Sequence, residues 1–169
     1  MEQTSELAFV IRSYRPSDRE ACRRLYLDGL IGGKIAAGDT GSDIDCIDTA
    51  YLQREGNHFW VAELTNPEHR GEVIGMVGVR QHEGTTTEIR RLRVDAAYRR
   101  RGVGSGLMES ALRFCEEHQC LRIILDTFME RGPAIHLFEK FRFRHGRTRR
   151  VGEKDLLYFY RDLYGSNAH

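Results

Sequence analysis

Thr86-Thr87-Glu88-Ile89-Arg90-Arg91-Leu92-Arg93-Val94, a short turn, and then Arg99-Arg100-Arg101-Gly102-Val103-Gly104-Ser105-Gly106 form the stretch on which the fold turns. The first part reads as a strand over 86–94. After the second part, Val103, Leu107, Met108, Ala111, Leu112 and Cys115 recur at helical spacing and predict a helix reaching His118. A Gly- and Arg-rich turn opening a helix exposes several main-chain N–H groups at the positive end of the helix dipole, and glycine lets a bulky anion approach the backbone. The plain alternative is a helix start with solvated arginines. It is disfavoured because three consecutive arginines repel one another and oppose the dipole unless an anion is present. A Walker loop, G-x-x-x-x-G-K-[ST], is absent, and a dinucleotide fingerprint would require glycine where Leu107 stands. Within the strand, Ile89 falls on one face and Leu92 and Val94 on the other, so the alternation slips a phase, as a β-bulge would cause.

Working outward, Phe9, Ile11 and Tyr14 predict a first strand. Pro16-Ser17-Asp18 then starts a helix to about Leu27, with Ala21, Cys22, Leu25 and Tyr26 inward. The Gly- and Asp-rich run from Asp28 to Asp45 predicts a loop, followed by a short helix from Asp45 to Arg54 on Ile47, Tyr51 and Leu52. Strand-like runs at His58 to Leu64 and Val73 to Gln81 precede the central strand and make a meander with it. Downstream, Arg122 to Thr127 contains Ile-Ile-Leu and predicts a parallel strand covered on both faces. A helix from Pro133 to Lys140 follows on Ile135, Leu137 and Phe138. Phe141 to Val151 and Leu156 to Leu163 then predict two strands about Gly152-Glu153. The expected fold class is therefore α/β (α+β): a mixed, mostly antiparallel sheet of about seven strands flanked by about four helices, with a central βαβ unit.

The chain has 169 residues, 40% hydrophobic and 30% charged, with 26 basic and 25 acidic side chains. At this size a chain buries about 70% of its unfolded surface, so no disulfide or metal staple is needed. No repeat, low-complexity tract or linker divides it, which predicts one domain over 1–169 with frayed ends at about 1–7 and 165–169. Cys22, Cys46, Cys115 and Cys120 have no zinc or redox spacing and read as reduced, buried thiols. With no long apolar run and no basic-then-apolar start, the expected location is cytoplasmic, without membrane partners. A formal net charge of +1 gives no global field for nucleic acid. Arg142, Arg144, Arg147, Arg149 and Arg150 cluster near the sixth strand, with Arg142 and Arg144 on one face. They read as a charged strand face or a homodimer contact rather than a nucleic-acid site.

Arg99-x-x-Gly102-x-Gly104 after a strand ending in Val94 resembles the acyl-CoA pyrophosphate loop of the GCN5-related N-acetyltransferases (GNAT). Ala134-Ile135-x-Leu137-Phe138-Glu139-Lys140-Phe141-x-Phe143 is similar to that family's C-terminal signature, and the element order agrees. The resemblance implies a domain that moves an acetyl group from acetyl-CoA to a small-molecule or peptide amine by direct attack, with acetyl-CoA as co-substrate and no metal. It implies that backbone groups of Arg101, Gly102, Val103, Gly104 and Ser105 hold the pyrophosphate, with charge from Arg99 and Arg100. It further implies that Leu92, Arg93 and Val94, on a bulged and splayed strand, bind the acetyl carbonyl and pantetheine arm.

A free alkyl ammonium has a pKa of about 10.4, so attack needs a positioned base or a desolvating site. Glu88, six residues before Val94, occupies the position of the base glutamate in histone-acetylating members. Its plain alternative is a strand glutamate paired with an arginine. Many members of the family protonate the departing thiolate from a tyrosine where this chain has Phe138, so either the thiolate leaves unaided, as a thiol pKa of about 8.5 allows, or another group supplies the proton, with Tyr158, Tyr160 and His136 as candidates and Tyr158 the one selected. Arg131 stands where members carry an asparagine. Asp39, Asp43, Asp45 and Asp48 suggest either an acidic rim for a cationic acceptor or helix caps. Phe138 also motivates the rival reading, an acyl-CoA-binding sensor with little turnover.

Overall fold

The computed structural model describes residues 6–30, 39–129 and 131–163. The alternating runs form seven strands: β1 Phe9–Ser13, β2 His58–Leu64, β3 Val73–Glu83, β4 Thr86–Val94, β5 Arg122–Phe128, β6 Arg144–Val151 and β7 Lys154–Asp162. The helices are α1 Arg19–Asp28, α2 Ser42–Asp45, α3 Ile47–Tyr51, α4 Val103–Glu117 and α5 Gly132–Lys140, one more than expected. The extra one is α2, which lies in the stretch predicted as a loop; Cys46, whose backbone leaves the helical region (φ −136°, ψ 51°), separates it from α3, the helix expected over 45–54. One sheet runs in the order β1-β2-β3-β4-β5-β7-β6. Every pairing is antiparallel except β4 with β5, the parallel crossover carried by α4.

Two apolar clusters sit on opposite faces of the sheet. Val103, Leu107, Met108, Ala111, Leu112 and Cys115 of α4 pack with Val77 and Val79 of β3, Ile123 and Leu125 of β5 and Phe159 of β7. A Cβ on Gly75 would lie 2.9 Å from Leu107 Cδ1, so this glycine lets α4 approach β3 closely. On the other face Cys22, Leu25 and Tyr26 of α1 pack with Ile44, Ile47, Tyr51, Phe59 and Met76. Three of the four cysteines are buried, while Cys46 is exposed. Leu7, assigned to the frayed start, packs against the α4 cluster. The expected fraying at 165–169 falls outside the described residues. Among the described residues, no helix is long and apolar enough to cross a membrane.

Two expectations are corrected. β5 is not covered on both faces: Ile123, Leu125 and Thr127 are buried, but Arg122 and Asp126 are exposed, because α1–α3 cover β1–β3 and stop short of β5. The sixth strand begins at Arg144 rather than Phe141. After α5, Arg142 adopts φ +65°, Phe143 N–H donates to Phe138 O and Arg142 N–H to Glu139 O, which is the Schellman closure of a helix. Arg142 therefore does not share a strand face with Arg144.

Candidate active site

The start of α4 has the geometry of an anion seat. Gly102 is its N-cap at φ +88°, no side chain caps it, and its first turn contains no acid. The first internal bond is Gly106 N–H to Gly102 O at 3.0 Å, so the amides of Val103, Gly104 and Ser105 have no partner within the helix. Around Gly102 a Cβ would find no atom within 4 Å, so glycine serves there for its positive φ and for open approach. Arg99, Arg100 and Arg101 are exposed at the turn, and the Val103 side chain is buried below it. Lys140 Nζ donates to Ser105 Oγ at 2.9 Å, bringing another cation to the rim.

The predicted bulge is present. Met76 pairs with Arg93 but Gly78 with Arg90, so Arg91 and Leu92 together oppose Val77. Arg91 takes φ +57°, a left-handed conformation costly for a side chain with a Cβ. The slip places Glu88 and Leu92 on opposite faces. On the other edge of β4, parallel pairing with β5 ends at Glu88 and Ile124, although the strands continue to Val94 and Phe128. Beyond that point the two strands splay, and β4 main-chain groups facing β5 lack a strand partner. The wedge lies beside the amide-rich end of α4.

Arg91 is held at the bulge by ion pairs that sequence reading missed. Its Nη1 and Nη2 donate to Asp39 at 2.7 and 2.8 Å, and its Nη2 and Nε to Asp43 at 2.6 and 3.0 Å. Tyr51 Oη donates to the same Asp43 carboxylate at 2.5 Å. Hydrogen bonds from Arg91, outweighing burial, hold the Asp39 carboxyl at about 2. Burial opposes ionisation of Asp43, but the Arg91 and Tyr51 bonds outweigh it and its pKa also falls. Asp39 and Asp43 are therefore structural counter-ions and not an acidic rim, and Asp45 pairs with Arg23 at 2.9 Å. Neither Asp43 nor Asp45 caps a helix: Gly41 precedes α2 and Cys46 precedes α3. Separation in sequence, 48 and 52 positions, is why no local pattern announces the Arg91 pairs.

Glu88 lies on the half of the sheet that α1–α3 leave open. Its contacts are loose, with His82 Nδ1 at 3.9 Å and Arg90 Nε at 3.8 Å. Burial, aided by the nearby Asp126 carboxylate, raises its pKa above the ordinary value. Asp126, which sequence reading did not single out, follows on the same face from Ile124, the partner of Glu88. Surrounding protein displaces water around the Asp126 carboxyl and raises its pKa, although part of the side chain remains exposed. Tyr158 pairs directly with Asp126 across β5 and β7, and the Arg147 guanidinium covers its ring at 4.3 Å. The sheet therefore brings Glu88, Asp126 and Tyr158 to one open face, with Tyr158 one strand beyond Asp126 on the side away from β4. Tyr160 lies on that face under Arg122, and His136 is exposed on α5. Phe138 is buried against Phe143 and Phe159, with ring centroids at 6.2 and 5.7 Å, and carries no hydroxyl.

An uncapped helix start, a splayed strand pair and a carboxylate with a raised pKa thus make up the candidate site. The sequence profile of the Acetyltransferase (GNAT) family matches residues 19–143, and the chain belongs to that family. Among characterised relatives, human N-acetylaspartate synthetase is 33% identical over 105 residues, covering 62% of this chain and 33% of that protein. Human N-acetyltransferase 8 is 31% identical over 108 residues, covering 61% of this chain and 45% of that protein. The chain thus spans a third to under a half of the length of these relatives. A GNAT-family acetyltransferase from Staphylococcus aureus Mu50 superposes with a TM-score of 0.78 at 22% identity, covering 92% of this chain and 99% of that one, which establishes the shared fold.

Proposed function

We propose that the protein transfers the acetyl group of acetyl-CoA to a primary amine by direct attack. The observation that carries this reading is the uncapped, acid-free start of α4 beside the wedge between β4 and β5: one end suits a diphosphate and the other a thioester carbonyl. Acetyl-CoA supplies an acyl group already activated as a thioester. Amides of Arg101 to Ser105 bind the diphosphate, with Arg99 and Arg100 adding charge. Main-chain groups of Leu92, Arg93 and Val94 orient the pantetheine arm and take up negative charge on the carbonyl oxygen. Glu88, its pKa raised, accepts a proton from the incoming ammonium directly or through water. Tyr158, on the open face, returns a proton to the thiolate. The names of the relatives, N-acetylaspartate synthetase among them, support an N-acetyl product.

Calorimetric titration with acetyl-CoA tests the seat. Gly102→Glu forces a side chain into a positive-φ position and sets a carboxylate among the amides, and Gly104→Glu places one a turn position later. Each should weaken binding by about 100-fold or more while the fold persists. Unchanged titrations for both variants would remove the seat from the argument. The buried Phe138 favours one second reading, a sensor that binds acyl-CoA without turnover. Thiol-reagent detection of CoA across an amine panel separates the two, since binding without release is the sensor's result.

A further inference from the structure

Arg93, on β4 immediately after the bulge, is a guanidinium with an unmet bond. Its Nε is buried and, among the described residues, has no hydrogen-bond partner, while its Nη1 donates to the neighbouring carbonyl, Leu92 O, at 2.9 Å. It is admitted to this position by Gly29 at the end of α1, where a Cβ would lie 2.7 Å from Nε. The carboxylate whose charge acts on Arg93, Asp39, is engaged elsewhere, because both of its oxygens accept from Arg91. Arg131 reaches the same corner from the β5–α5 connection and donates to Gly29 O. Burial first, then the charges of Arg131 and Arg91, lower the Arg93 pKa to about 9, outweighing attraction from Asp39. A guanidinium stays charged at neutral pH. Leaving such a group buried and unpaired is costly, and a planar carboxylate accepting from Nε and a terminal nitrogen is the geometry that relieves the cost.

Arg93 faces the side of the sheet that carries Met76, its partner on β3, and α1. Its main chain follows the bulge, in the splayed part of β4 at which the acyl carbonyl is proposed to sit. The diphosphate seat lies at a separate place, the start of α4, so a second anion at Arg93 belongs to the acceptor. We propose that Arg93, backed by the charge of Arg131, binds a carboxylate on the acceptor, so that the acceptor class is an amino acid or a similar amine bearing a free carboxylate. In an α-amino acid the amine is one carbon from the carboxylate, so a carboxylate held by Arg93 sets the amine beside Leu92. This inference rests on the acetyl-transfer reading and narrows it.

The test measures CoA release with matched acceptors: free amino acids, their carboxamides and the decarboxylated amines. The wild-type protein should use the free amino acids with kcat/KM at least about 30-fold above their carboxamides, the discrimination expected of a buried charge-assisted pair. In Arg93→Gln that ratio should collapse by a similar factor, chiefly through KM for the free acids. Arg93→Lys, which keeps the charge without the fork, should fall between. Equal use of acids and carboxamides by the wild type overturns the inference without any variant, so a poorly folded variant does not protect it. A loss in Arg93→Gln that is equal for both acceptor types overturns it as well. Release with carboxylate-free amines alone defeats this inference and leaves acetyl transfer standing. No release with any acceptor, while acetyl-CoA still binds, defeats both.

Discussion

Replacing Arg91 by methionine removes the cation that neutralises two carboxylates at the bulge. The Arg91 and Asp43 side chains are 8% and 9% exposed and Asp39 is 27% exposed, so the pairs are shielded and lose little to solvent screening. Deleting one partner of such a cluster leaves uncompensated buried charge and costs about 3–5 kcal/mol. The titration of Asp39 provides a partial check. Its carboxyl is held at about 2 against an ordinary 3.8, which by itself corresponds to roughly 2 kcal/mol of stability. Because the folded-state pKa is the lower one, this contribution is fully present above the unfolded value, near 4, and is lost as pH falls through about 2. Arg91→Met should therefore unfold about 10 °C below the wild type at pH 7, with the gap narrowing between pH 4 and pH 2. Thermal and urea unfolding followed by circular dichroism at both pH values reads this out. Acetyl-CoA affinity should fall in parallel, since Arg91 pins the left-handed residue of the bulge. A loss below about 1 kcal/mol at pH 7, or a gap independent of pH over that range, would refute the account of Arg91 as the clamp of the bulge.

Glu88→Gln should lower kcat by about 100-fold or more and abolish the acidic limb of the pH–rate profile, which in the wild type lies above the ordinary glutamate value of 4.5 because burial raises the Glu88 pKa. Asp126→Asn removes a neighbouring negative charge, lowers the Glu88 pKa and should move that limb to lower pH; a limb that stays in place would separate the two carboxylates. Phe138→Tyr puts a hydroxyl into an aromatic core and should cost about 1–3 kcal/mol in urea unfolding with no gain in kcat. A faster enzyme would show that the position faces the reacting thiolate after all.

The local chemistry of residues 86–118 was legible in the sequence because its signals are short-range. The phase slip between Ile89 and Leu92 anticipated the bulge, and the Gly- and Arg-rich turn before Val103 marked the start of α4. Asp39 and Asp43 were misread because a loop aspartate looks the same in sequence whether it faces water or a distant arginine. For the same reason nothing local in the sequence tells Arg91 from Arg93. Asp126 went unnoticed because Ile-Ile-Leu before it suggested a strand buried on both faces, and only the reach of α1–α3 decides that one face of β5 stays open.

Periodicity, glycine placement and helix punctuation determined which segments become strands and helices, that the crossover through α4 is parallel, and where an anion can meet main-chain amides, since each depends on neighbours a few positions apart. Tertiary structure alone decided which charges neutralise one another and which are left to bind: Arg91 was given both aspartates, Arg93 none, and Phe138 a place in the core. Charge pairing and burial depend on distances between residues tens of positions apart in the chain, and those distances exist only once the sheet has assembled.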